Sequence, residues 1–200
     1  MTSYEHKLKN IYLGADTLPS WYQEVEYIQG TGTQYIDTWI VWSLSLKTEL
    51  KLNSQLISES AIFWSSWALN GNFLMFYSNK LRWHSANTVD VSCVLNTDYV
   101  IKTENWKLTV DWTDYTCNAS WSVNTNNVYI RRTNAWQWSY AYWRFKLYYM
   151  KMLNWNTLVR DFIPCYRTAD DVIWLYDKIN NVFYTNSWTW TFTKWPDVWN

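Results

Sequence analysis

The sequence predicts an all-β fold: a two-sheet antiparallel β-sandwich with jelly-roll connections. Three observations predict it. A dozen or so short runs of β-forming residues are separated by Gly, Asn, Asp or Pro turn signals. No stretch keeps a 3.6-residue period, so helix should stay under roughly a tenth of the chain, against the usual third. The longer runs alternate apolar and polar residues, as strands with one face in a core do.

Residues 1–17 precede the domain, which spans 18–200. Asn10 to Asp16 reads as a short strand and turn. It suits either an attachment arm to a larger assembly, or an extra edge strand or loose terminus. Leu18-Pro19-Ser20 marks the domain entrance. Glu24 to Gln29 and Thr33 to Asp37 are strands around Gly30-Thr31-Gly32. Leu44 to Leu52 puts Leu44, Leu46, Leu50 and Leu52 on one side and Ser45, Lys47, Glu49 and Lys51 on the other. Ala61 to Phe63, Phe73 to Tyr77 and Leu81 to His84 follow, with turns at Asn70-Gly71 and Asn79-Lys80. Val89 to Leu95, Tyr99 to Thr103, Lys107 to Asp111, Tyr115 to Asn118 and Val128 to Arg132 are further runs.

Tyr142 to Met152 is the longest run. Trp143, Phe145, Leu147 and Tyr149 alternate against Arg144, Lys146, Tyr148 and Met150, which predicts a central strand. Leu158 to Ile163 is a strand stopped by Pro164, which cannot donate to a ladder. Val172 to Tyr176 and Val182 to Tyr184 flank a turn at Asp177 to Asn181. Strands this short need a second layer to bury one face, and the rest of the chain is expected to supply it.

The closing stretch, NTLVRDFIPCYR…IWLYDKINNVFYTNSWTWTF, resembles the end of a concanavalin A-like (laminin-G-like) β-sandwich domain of phage tail and bacterial surface proteins. The opening stretch, LPSWYQEVEYIQGTGTQYIDTWI, resembles the start of the same family. The likeness covers residues 18–195 and is weakest from 50 to 135. It implies a lectin-like module carried on a virion tail or a cell surface. In one respect the chain departs throughout: where the family has glycine, it has tryptophan.

That departure is visible without the family. The chain has 18 Trp and 4 Gly in 200 residues, where average usage would give roughly 14 Gly. Asn105-Trp106, Asp111-Trp112 and Asn154-Trp155 lie between strand-like runs. Asn-Gly and Asp-Gly are the strongest hairpin signals, because both central residues need positive φ. Ser187-Trp188-Thr189-Trp190-Thr191 reads better with glycine at both tryptophans. Trp83 differs, because KLRWHS places it inside a strand. Reading every tryptophan except Trp83 as glycine restores an ordinary glycine content. A gene in which UGA encodes glycine, translated with UGA as tryptophan, writes this sequence.

Function is narrowed mostly by exclusion. Lys+Arg and Asp+Glu are both 17, with no basic run, which argues against nucleic acid as the partner. No apolar run is long enough for a transmembrane helix, and MTSYEHKLKN has no signal-peptide core. Cys93, Cys117 and Cys165 are too few and too scattered for a disulfide framework or a zinc site, so buried free thiols are expected. No G-x-S-x-G, H-E-x-x-H, P-loop or G-x-G-x-x-G occurs. Sandwich glycosidases use paired carboxylates. Glu24-Val25-Glu26 is the nearest echo and lacks a third acid; Asp170-Asp171 and Asp111/Asp114 sit in turns. No enzyme and no cofactor are expected, and no loop has the oxygen density to make calcium specific. Asn118-Ala119-Ser120 matches a glycosylation sequon by chance.

Binding is what is left. Sugar recognition suits an aromatic surface with polar neighbours. The hairpin Phe73 to His84 offers Tyr77, Arg82 and His84, with Asn87 just beyond. The long strand offers Arg144 and Tyr148, beside Tyr142 and Lys146. The expectation is a non-enzymatic module binding glycan or a surface protein, within a larger virion or surface assembly. The alternatives are a structural decoration or oligomerisation module without ligand, and a degenerate glycoside hydrolase.

Overall fold

The computed structural model describes residues 18–30, 34–55, 59–65, 72–85, 87–104, 107–117, 126–130, 145–187 and 191–198. The expected arm at 1–17, the turns at 70–71 and 105–106, the sequon and Arg144 lie outside these residues. The described residues form sixteen strands and no helix.

One sheet contains β1 (Tyr22–Gly30), β3 (Leu46–Ser54), β8 (Asp98–Glu104), β9 (Lys107–Val110), β10 (Thr113–Thr116), β12 (Phe145–Asn154), β13 (Thr157–Arg167), β14 (Ile173–Asp177), β15 (Val182–Tyr184) and β16 (Phe192–Asp197). Its order is β10-β9-β8-β3-β12-β1-β13-β14-β15, with β16 on β1. The second sheet contains β2 (Ile36–Val41), β4 (Glu59–Trp64), β5 (Phe73–Tyr77), β6 (Lys80–Ser85), β7 (Asn87–Ser92) and β11 (Asn127–Ile130), in the order β2-β11-β4-β5-β6-β7. All pairings are antiparallel. The sheets pack as a sandwich, compatible with a jelly roll.

The core lies between them. Leu50, Leu52, Ile101, Leu147, Met150 and Phe162 come from the larger sheet, and Phe63, Leu74, Phe76, Leu81 and Trp83 from the smaller. Alternation puts the intervening polar residues on the two outer faces. The first strand and the last lie side by side. Val25 faces Asp197 and Gly30 faces Phe192 across β1 and β16.

Several elements differ from the sequence reading, each for a physical reason. β2 begins at Ile36 rather than at Thr33, and Asp37 stands near its start. β12 does not alternate throughout. Its register to β3 shifts between Leu147 and Tyr149, so Tyr148 and Tyr149 both face outward and Met150 and Met152 turn inward. β13 does not stop at Pro164. Pro164 falls between the stretch paired with β12 and the stretch paired with β1, where a missing N–H is best tolerated. The β5–β6 turn is Ser78-Asn79 rather than Asn79-Lys80. The β12–β13 turn is Trp155-Asn156 rather than Asn154-Trp155, because Asn154 still pairs with Thr157. β16 had no counterpart among the expected strands.

Nine described non-glycine residues have positive φ. Six are Ser78, Asn79, Asn96, Asp111, Asp171 and Asn181, and three are Trp39, Trp112 and Trp155. Short polar side chains tolerate the left-handed region, and a bulky aromatic does not.

Candidate functional site

The tight Ser78-Asn79 turn sets the register of the β5–β6 hairpin. Both residues have positive φ, at 48° and 63°, which is the two-residue type I′ geometry. Leu74 and Phe76 then face the core with Leu81 and Trp83. Phe73, Met75 and Tyr77 share the outer face with His84, Arg82 and Lys80. β7 extends the same rows, setting Thr88 beside His84 and Asp90 beside Arg82. The structure therefore brings Tyr77, Arg82 and His84 together on one face. Asn87 heads β7 opposite Ser85, but its side chain lies outside the described residues.

Arg82 and Asp90 form a two-pronged pair. Nε and one terminal nitrogen of Arg82 each donate to a carboxylate oxygen of Asp90 at 2.8 Å. The Arg82 guanidinium also lies 4.4 Å from the centre of the Tyr77 ring. Lys80 stands 3.9 Å from the same carboxylate. The hydrogen bonds from Arg82 hold the Asp90 carboxyl below its ordinary range, against the opposing effect of partial burial.

His84 ends a stack of three rings. Trp64 lies on Phe73 at 4.3 Å and Phe73 lies on His84 at 4.9 Å, both nearly parallel. Trp64 and Phe73 are buried, although they point away from the sandwich core. His84 Nδ1 and Thr88 Oγ1 are 3.0 Å apart. Burial, and then the charge of Arg82, lower the His84 pKa below its ordinary 6.5. The imidazole is therefore neutral at pH 7, able to donate at one nitrogen and accept at the other.

Tyr148 belongs to the other sheet and the opposite outer face. Its hydroxyl donates to Asp98 Oδ1 at 3.2 Å, and Asn53 Nδ2 donates to the same oxygen at 2.6 Å. Lys51 pairs with Asp98 at 3.3 Å and lies 4.4 Å over the Tyr148 ring. Tyr27 meets Tyr148 edge-on at 5.4 Å. Burial, and then Asp98, push the Tyr148 phenol well above its ordinary range. The neighbouring Tyr149 is pushed up to about 12 by burial and by Glu49, to which its hydroxyl donates. The two expected stripes thus lie on opposite sheets and do not make one site.

The sequence reading missed Thr88 and Asp90 on β7, and Asn53 and Asp98 beside Tyr148. The alternation Thr88-Val89-Asp90-Val91-Ser92 was a usable signal for the first pair, since the valines must face the core. Nothing local links Asp98 to Tyr148, which are brought together only by β3 and β8. Among the described residues no group of three or more His, Cys, Asp or Glu side chains is placed to hold a metal ion, and no helix is long and apolar enough to cross a membrane.

No protein-family model matches the chain, and no curated protein matches it.

Proposed function

We propose that this chain is a non-enzymatic, lectin-like module of concanavalin A-like type, displayed on a phage tail or a cell-surface assembly, and that it binds glycan. The observation that carries the reading is the outer face of β5, β6 and β7. There Arg82 and Asp90 present a planar donor–acceptor pair next to the imidazole of His84 and the ring of Tyr77. Paired donors and acceptors suit sugar hydroxyls, and ring faces suit the apolar face of a pyranose. Two facts support the family part of the reading. β1 and β13, which come from the two resembling stretches, pair from Tyr22–Arg167 to Glu24–Cys165. The Tyr35 amide from the first stretch also donates to Asn186 of the second.

A glycan array on the intact chain tests the proposal. Arg82→Ala should abolish retention, whereas Tyr148→Ala, on the other sheet, should leave it unchanged. Retention of no glycan at all would defeat the reading and favour a structural decoration module. A specific observation already gives that second reading weight: on the outer face of the larger sheet, Lys47–Glu104, Lys102–Glu49 and Lys51–Asp98 pair off among themselves. Hydrolysis of a retained glycan would instead point to a degenerate glycoside hydrolase.

A further inference from the structure

We infer that positions 39, 112 and 155 are glycine positions, and that the protein made in its own host carries glycine there. The inference rests on backbone geometry, so it stands or falls apart from the glycan reading. Trp39, Trp112 and Trp155 have φ of 57°, 72° and 55°. Every other described non-glycine residue in that region is Asn, Asp or Ser. Trp carries a Cβ and a bulky ring that clash in that conformation, and only glycine adopts it freely.

The three positions belong to three different turn chemistries, and each asks for glycine at the place where the tryptophan stands. Val110 pairs with Thr113, so Asp111-Trp112 is a two-residue hairpin loop. Both residues have positive φ, which is type I′, and the favoured pair is Asp-Gly. Asn154 pairs with Thr157, so Trp155-Asn156 is also a two-residue loop. Here only the first residue has positive φ, which is type II′, whose first position favours glycine. Trp39 lies in an irregularity of β2: Asn127 faces Val41 and Tyr129 faces Asp37, so β2 carries extra residues. A bulge residue in the left-handed region is again a glycine position. Two local bonds brace that bulge. The Trp39 amide donates to Asp37 Oδ1 at 2.9 Å, and Thr38 Oγ1 donates to the Val128 carbonyl at 2.7 Å.

The rings stand mostly in solvent, with Lys102 5.6 Å over that of Trp112. Trp39, Trp112 and Trp155 are 71%, 84% and 73% exposed. Other tryptophans behave differently. Trp83 is fully buried on the core face of β6 and meets Phe63 and Trp42 at 5.7 Å. Trp42 and Trp64 are also buried. Among the described tryptophans the backbone makes the demand at 39, 112 and 155. One decoding step accounts for all three together: a UGA codon read as glycine by the host and written as tryptophan in translation.

Two measurements test it. The gene should carry UGA at codons 39, 112 and 155 and UGG at codon 83, and peptides from the native host should have glycine masses at those three positions. UGG at any of the three overturns the inference. Independently, Trp39→Gly, Trp112→Gly and Trp155→Gly in the recombinant chain should each raise Tm, by about 2–4 °C for a domain of this size. Trp83→Gly, made in parallel, should lower it sharply or prevent folding. A fall in Tm for any of the three turn variants overturns the backbone argument.

Discussion

The amide of Tyr35 donates to Asn186 Oδ1 at 3.1 Å, across 151 residues of sequence. The Tyr35 carbonyl accepts from the Ser187 amide at 3.0 Å, and Gln34 Nε2 donates to the Thr191 carbonyl. The segment leading into β2 is thereby clipped to the segment leading into β16. Asn186→Ala removes the acceptor and leaves a partly buried amide without it. Stability should fall by about 1–2 kcal/mol, the range for such a loss. Urea unfolding reads this as a lower midpoint at an unchanged slope. An unmoved midpoint would show that the clip contributes nothing to the fold.

Asp177 is a stronger case. Its side chain is 0% exposed. It accepts from the amides of Asp161 and Ile179, both at 3.1 Å, and from Asn180 Nδ2 at 2.7 Å. Arg160 stands 3.5 Å away. One carboxylate thus ties β13 to the turn that follows β14. Asp177→Ala takes the acceptor from two amides and the counter-charge from a largely buried guanidinium, which keeps the Thr38 and Val159 carbonyls, and breaking such a pair costs about 3–5 kcal/mol. Chemical denaturation checks the size. A loss below about 1 kcal/mol would place Asp177 among ordinary surface carboxylates.

The sequence made the sandwich legible because its signal is local. Alternation in Leu46 to Leu52 and the turn residue Asn79 act within a few residues, and the predicted strands fall close to the observed ones, with the β5–β6 turn one residue off. What escaped depends on partners. The bulge at Tyr148–Tyr149 is set by the pairing of β12 with β3, which the run Tyr142 to Met152 does not reveal. The passage of β13 through Pro164 depends on an exchange of neighbours from β12 to β1. The candidate site was half legible for the same reason. Arg82 and His84 share a face by period two and a two-residue turn brings Tyr77 onto it, whereas Asp90 and Asp98 acquire their roles from strands paired with others.

The three cysteines should be silent toward thiol reagents. Cys93, Cys117 and Cys165 are buried thiols. Burial pushes the Cys165 thiol far above its ordinary range, with Glu24 adding to the effect, and burial also raises Cys93. The thiolate is the reacting species, so both inaccessibility and protonation oppose reaction. Ellman's reagent should detect no fast thiol in the folded protein and all three after denaturation. A thiol that reacts on mixing in the folded state would contradict the packing around it.

Acid should weaken the fold in a step that belongs to His84. Burial and the Arg82 charge lower its folded pKa below the ordinary 6.5, so the unfolded chain binds a proton more readily. The associated stability is fully present above 6.5. It is lost as the pH falls from there toward the lower folded pKa, and below that value this group adds no further loss. Asp90 acts later on the same path. Arg82 depresses its folded pKa below 3.8, so its contribution is present above that value and disappears only as the pH falls through the depressed one. His84→Phe keeps a ring on Phe73 and removes the titration. Tm measured between about pH 5 and 8, where histidine titrates, should therefore decline on acidification in the parent chain and less so in the variant. Arg82→Met should also shrink the decline, because the repulsion on the imidazolium is gone. Parallel curves for parent and His84→Phe would assign the acid limb elsewhere and leave the ring stack with a packing role alone.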